Sequence, residues 1–201
     1  MRITLFVEGD TERAAIPDLL KRWADSRLSR PIRISPVQFR GWQHYTKDIA
    51  TRAALALRDP STAAIGLLDL YGPTFYPANV ATARERYAWA KAKFEREVGS
   101  DRFVQHFAVH ETEAWIFSDP TMLPADIRSA IPGKAANPES INFDEPPSHL
   151  LARLYRDRLG RRYQKLIDGV PLLQRISPET VYKRCEHFRL LADDVLRLAG
   201  G

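Results

Sequence analysis

Cysteine is almost absent from this 201-residue chain. Its one thiol, Cys185, excludes an internal disulfide and a multi-cysteine zinc site. Long apolar runs are missing too: none approaches the roughly 18 residues that a membrane span needs. The N-terminus carries an acid at position 8 and lacks a signal-peptide pattern. A cytoplasmic protein without membrane contact is therefore expected. No Gly-rich phosphate loop is present, so any nucleotide hydrolysis would belong to a partner. His110-Glu111 opens like a zinc-protease helix, but Ala114 stands where the second histidine is needed. No P-C-x-x-C accompanies it, which removes the zinc deaminases as well.

What remains is a chain with 44% hydrophobic and 27% charged residues, enough for a sizeable core in one soluble unit. The net charge of +5 is unevenly spread. Residues 101–149 hold three Lys/Arg against eight Asp/Glu, and residues 150–189 hold ten against four. An acidic centre beside a basic C-terminal part suits a site that binds a metal and a polyanion together. Arginines coating solvated helices would produce the same excess.

Apolar runs and breakers divide the first 119 residues into alternating strands and helices. Residues 2–7, 32–39, 62–69 and 102–109 read as strands. Helices are expected over about 11–28, with Asp10 or Thr11 as N-cap, then over about 47–58 and 79–98. The stretch 110–117 reads as the start of another helix. This β-α-β-α-β-α-β-α order predicts an α/β fold with a parallel four-stranded sheet flanked by helices. Past residue 118 no strand is expected. Residues 132–147 read as a long loop, followed by helices over about 148–159, 162–175 and 178–198. The division is thus an α/β core over 1–119, with a loop and helical extension over 120–201 packed on it. Cys185 falls on the apolar face of the last helix and reads as a small core residue. The segment from Asn137 to Asn142 is a candidate to close over the site. His149 and His187 read as locally hydrogen-bonded. The aromatics of Tyr71-Gly-Pro-Thr-Phe-Tyr-Pro77 suit packing against the sheet better than stacking on a base.

Three strands end in acids: the first at Glu8, the third at Asp69 and the fourth at Glu111 and Glu113. Parallel strands place these ends on one edge, the edge where open α/β sheets bind ligands. Glu12 follows Glu8 by one helical turn, with Gly9 between them to let the backbone turn. Each acid alone has an ordinary explanation, as a cap, a first-turn charge or a solvated group. Together they repel and call for a hard cation, Mg2+ or Mn2+. One of Glu111 and Glu113 is expected to point away, because residues two apart do not share a helix face.

These residues also resemble a family. Val7-Glu8-Gly9-x-x-Glu12, an apolar strand ending in Asp69 and a later acidic motif are similar to the TOPRIM domain of topoisomerases, bacterial primases and overcoming-lysogenisation-defect nucleases. More closely, the chain resembles small TOPRIM-like proteins of bacteria and archaea, often encoded beside an ABC-type ATPase. The shared segments are Val7 to Glu12, Asp69-Leu-Tyr-Gly72, His110 to Asp119, Tyr163-Gln-Lys165 to Gly169, and Cys185-Glu-His-Phe188. The resemblance implies a TOPRIM-like (Rossmann-like) fold and a Mg2+-dependent nuclease on DNA or RNA, acting in antiphage defence with the ATPase. It implies Glu8 as general base or ligand, and Asp69 with Glu111 or Glu113 as metal ligands. Lys165, or second Lys183, would assist at the scissile phosphate, and basic helices from Arg153 to Arg189 would hold the nucleic-acid backbone. Tyr71 stands where many TOPRIM proteins have a second aspartate, so a second metal would need Glu12, Glu111 or Glu113. The rival expectation is a non-catalytic module that binds nucleic acid or the ATPase.

Overall fold

The computed structural model describes residues 1–140 and 144–200. Ile141 and Asn142, which end the segment expected to close over the site, lie outside the described residues. The α/β expectation holds. β1 (Arg2–Val7), β2 (Arg33–Gln38), β3 (Thr62–Asp69) and β4 (Phe103–Ala108) form one sheet in the order β2-β1-β3-β4, with every pairing parallel. β3 is apolar almost throughout and β4 is buried at every residue, its Gln105 and His106 included, because both sheet faces are covered. Ile3, Leu5 and Val7 alternate to one face, and Thr4 and Phe6 to the other.

The alternation is answered by two helical layers. α1 (Asp10–Asp25) lies on the Ile3–Leu5–Val7 face. α2 (Trp42–Ala56) and α3 (Ala83–Val98) cover the Phe6 face, where Tyr45, Phe94 and Phe107 pack. After a short α4 (Ala125–Arg128) come α5 (Pro147–Leu159), α6 (Val170–Arg175), α7 (Pro178–Arg184) and α8 (Glu186–Ala199). Leu151, Leu173 and Leu191 of these later helices join Leu19 of α1 in one buried cluster. Among the described residues no strand follows β4, and no helix is long and apolar enough to cross a membrane.

Several boundaries differ from the sequence reading. α1 starts one residue early, and its N-cap is Gly9 rather than Asp10 or Thr11. α2 starts at Trp42 instead of about Lys47, because Gly41 takes a backbone with φ 99° that launches the helix without a capping side chain. α3 begins after Thr82, whose hydroxyl accepts from Glu85 N–H while the Glu85 carboxylate accepts from Thr82 N–H. Val80 therefore lies outside it. The stretch after β4 is a 3-10 segment, Thr112–Ser118. The 132–147 loop contains short 3-10 turns at Gly133–Ala136 and Pro138–Ser140. The 162–175 helix is instead a π-turn, Lys165–Gly169, followed by α6. The last helix is broken at Cys185, whose backbone is extended (φ −122°, ψ 107°). There the Glu139 carboxylate accepts the His187 N–H at 3.0 Å, a cap brought from 48 residues away.

Both sheet edges carry a device. At β4, Lys91 Nζ donates to the Gln105 carbonyl (3.2 Å) and Gln105 N–H donates to Glu95 Oε1 (3.0 Å), so side chains of α3 occupy the outer backbone groups. At β2, the N–H groups of Arg33 and Phe39 bond to β1, which turns the even-numbered residues outward. The outward residue in mid-strand is Pro36, which has no N–H.

Candidate metal centre

The strand order reverses between β1 and β3: the chain leaves β1 towards β2 and returns to β3 on the opposite side. Ligands of open α/β sheets bind outside the carboxyl ends at such a switch point. Glu8 follows β1 and Asp69 ends β3 at this place.

Gly9 leaves room for the Glu12 carboxylate and makes no unusual turn. Its φ of −132° is ordinary extended backbone, but a Cβ there would stand 2.9 Å from Glu12 Oε2. That oxygen accepts the Gly9 N–H at 2.9 Å, and Oε1 accepts the Thr112 hydroxyl at 3.1 Å. Glu12 is thus buried as a helix cap tied to the segment after β4, beside the other acids.

That segment brings in the rest. Ala114, Trp115, Ile116 and Phe117 are fully buried, and the Trp115 ring meets Phe188 of α8 edge-on at 5.0 Å. Anchoring of this kind fixes the acids on either side. Glu111 has extended backbone (φ −143°, ψ 159°) and Glu113 sits in the 3-10 turn, so the α-helical spacing rule does not apply to them. Both face inward. Asp69, Glu111 and Glu113 each offer an oxygen within 4.8 Å of the others, which corrects the expectation that one glutamate points away.

The supports of this triad are specific. Thr112 N–H donates to Asp69 Oδ1 (3.0 Å), and its hydroxyl lies between Glu12 and Glu113. Ser148, in the first turn of α5, donates its N–H (2.7 Å) and its hydroxyl (2.9 Å) to the two oxygens of Glu111. Glu111 therefore also serves as a charge at a helix N-terminus. Neither Thr112 nor Ser148 was singled out from the sequence. Thr112 lies inside the His110-to-Asp119 segment, whereas Ser148 follows two prolines with no signal beyond a helix start.

Lys165 enters from the C-terminal part. Its Nζ lies 2.9 Å from Glu113 Oε1 and 3.9 Å from Glu111 Oε1, with the side chain 44% exposed. The Glu113 contact is an ion pair to a buried carboxylate oxygen. The π-turn places the lysine. Gly169 closes that turn, and a Cβ on it would stand 2.3 Å from the Tyr163 hydroxyl. Tyr163, Lys165 and Gly169 thus form one packed unit. Lys183 lies exposed on α7, among Arg184, Glu186 and His187, and is not part of the cluster.

The electrostatics follow the crowding. Burial raises the Asp69 carboxyl well above the usual range, reinforced by Glu12, Glu113 and Glu111 and opposed by Lys165. Glu113 is raised by burial too, with Lys165 as its main counterweight. Glu8, outside the triad, is lifted from 4.5 to about 7 by burial and by Glu12, while the Trp42 N–H at the head of α2 and Lys165 pull it down. Partial burial lowers Lys165, but Glu113, Asp69 and Glu111 outweigh it and hold the lysine firmly charged.

The remaining sequence candidates have structural partners. Arg161 makes a two-point pair with Asp168, and Arg184 binds the carbonyls of Ser118 and Ala136. His187 pairs with Glu139, and His149 lies edge-on to Tyr71 at 6.3 Å. Cys185 is fully buried, and burial pushes its thiol up, away from reactivity. Arg156, Arg158, Arg162 and Arg175 remain exposed.

Chemically, the cluster is an all-oxygen donor set with a single cation beside it. Asp69, Glu111 and Glu113 converge closely enough to hold a metal ion. A family model described as a domain of unknown function (DUF4276) matches residues 7–195. No curated protein and no solved structure gives a match.

Proposed function

The chain belongs to the DUF4276 family, and from its site we propose a Mg2+- or Mn2+-dependent nuclease that hydrolyses phosphodiesters of DNA or RNA. The observation that carries this reading is the convergence of Asp69, Glu111 and Glu113 within 4.8 Å at the switch point of a parallel sheet. The TOPRIM resemblance of the Val7–Glu12 and Asp69–Gly72 segments supports it.

In this reading Asp69, Glu111 and Glu113 hold the ion, and Glu12 and Thr112 hold their geometry. The bound ion supplies Lewis-acid polarisation of a phosphoryl oxygen. Glu8, with a carboxyl that titrates near 7, is ionised often enough at neutral pH to take a proton from water. Lys165 places its ammonium beside the phosphate and offsets charge that develops there. The exposed arginines 156, 158, 162 and 175 attract the polyanion. The further proposal is that the nuclease acts in antiphage defence beside an ABC-type ATPase.

One observation favours a second reading. Lys165 already places a cation in the cluster, as an internal substitute for a metal would. The protein would then be a non-catalytic module that binds nucleic acid or the ATPase. Titration with Mn2+ by calorimetry, and cleavage assays on DNA and tRNA with and without the neighbouring ATPase, separate the two. The nuclease reading expects Mn2+ binding abolished by Asp69→Asn and cleavage abolished by Glu8→Gln and by Asp69→Asn. No binding at millimolar Mn2+, even with nucleic acid present, would establish the module instead.

A further inference from the structure

The loop that leaves β3 divides its aromatics between two tasks. Phe75 packs inward against Trp42, Trp89 and Phe94 and fastens the loop to the helical layer. Tyr76 packs on Phe75 (4.6 Å between ring centroids) and on Trp89, and with Tyr71 it lines a cavity of about 660 Å3, together with Pro73, Pro77, Val80 and Arg86. That volume falls within the range of small-molecule sites, and a lining of aromatic and apolar residues with one charged side chain suits such a site. The Arg86 guanidinium stands 5.1 Å over the Tyr76 ring.

The cavity adjoins the acid cluster. Tyr71 follows Asp69 by two residues, and its N–H donates at 2.9 Å to the carbonyl of His110, the neighbour of Glu111. Tyr76 is pinned by its hydroxyl to the Leu70 carbonyl (3.3 Å) and lies close enough to Glu8 to sense its charge. Its wall is therefore tied at both ends to the backbone that carries Asp69 and Glu111.

We infer that this cavity is a nucleobase subsite, in which Tyr71 stacks on the base of the nucleotide whose phosphate lies at Asp69, Glu111 and Glu113, with Tyr76, held by Phe75 and Arg86, as its fixed side wall. The inference rests on the nuclease reading and deepens it by naming the substrate class. A base within a duplex has both faces covered by its neighbours, so a stacking cavity takes an unpaired nucleotide. Aromatic faces accept any base, which makes the selection one for single-stranded character and not for sequence.

The test compares two probes by calorimetry in the presence of Mn2+: adenosine 5′-monophosphate, and ribose 5-phosphate, which lacks the base. The unmodified protein is expected to bind the nucleotide roughly tenfold to a hundredfold more tightly, the contribution of one stacked base. Tyr71→Ala should bring that preference down to about twofold or less, and Tyr71→Phe, which keeps the ring, should retain it. Mn2+ affinity should be the same in all three proteins. Equal binding of the two probes by the unmodified protein would overturn the inference, as would a preference that survives Tyr71→Ala. Loss of Mn2+ binding in the unmodified protein would overturn the nuclease reading separately, while the two probes still report on the base.

Discussion

Replacing Glu8 by glutamine should make the metal-free protein more stable and inactive at once. The Glu8 carboxyl titrates near 7 in the fold against an ordinary 4.5, because burial and the Glu12 charge disfavour its ionised form. Below about pH 4.5 the group is protonated in both folded and unfolded chains, and it carries no penalty. Between pH 4.5 and 7 the folded protein retains the proton that the unfolded chain releases, so stability falls as pH rises. Above pH 7 the full difference, 2.5 pH units or about 3 kcal/mol, weighs against folding. Glutamine keeps a carbonyl oxygen for the Trp42 N–H and removes the charge. For a chain of this length, about 3 kcal/mol corresponds to a rise in Tm of roughly 6–12 °C. Thermal unfolding in chelator at pH 8 should show that rise, and the two proteins should converge at pH 4. Saturating Mn2+ should shrink the gap, since it stabilises the ionised cluster and not the bare charges. A Tm difference independent of pH, or a variant less stable than its parent at pH 8, would refute the assignment of an electrostatic cost to Glu8.

Two further substitutions test the supports of the cluster. Gly169→Ala would drive a Cβ to 2.3 Å from the Tyr163 hydroxyl, and urea unfolding should show a loss of about 1–3 kcal/mol. Cleavage should fall as well, because the π-turn that carries Lys165 must shift. Ser148→Ala removes one of two donors to Glu111 and leaves the backbone N–H in place. It should cost about 1 kcal/mol in the same measurement.

The sheet could be read from the sequence because the strands are apolar runs or, in β2, an alternating stretch, bounded by breakers, a local signal. β3 illustrates this: the residues between Thr62 and Asp69 are apolar throughout, and the observed strand has the same limits as the expected one. The position of Glu8 and Asp69 on one edge follows from parallel pairing alone. What escaped the reading depends on contacts distant in sequence. The break at Cys185 is stabilised by Glu139, and nothing between 178 and 198 announces it. The joint inward position of Glu111 and Glu113 needs a 3-10 segment, and that conformation is imposed by burial of Trp115 and Phe117. Ser148 reaches Glu111 across 37 residues. Lys165 was picked out by resemblance, but its approach to Glu113 depends on how Tyr163 seats on Gly169.

The two ends of the sheet constrain how the protein can assemble. A foreign strand laid against β4 would find the Gln105 N–H and carbonyl already engaged by Glu95 and Lys91, and one laid against β2 would find no donor at Pro36. Strand addition, the commonest improvised route to aggregates and swapped dimers, is closed in mid-strand on both sides. A second copy, or the ATPase proposed above, would then have to be recognised through side chains of the helical layers and loops. Mutations that weaken such an association should map to those surfaces and leave the sheet untouched.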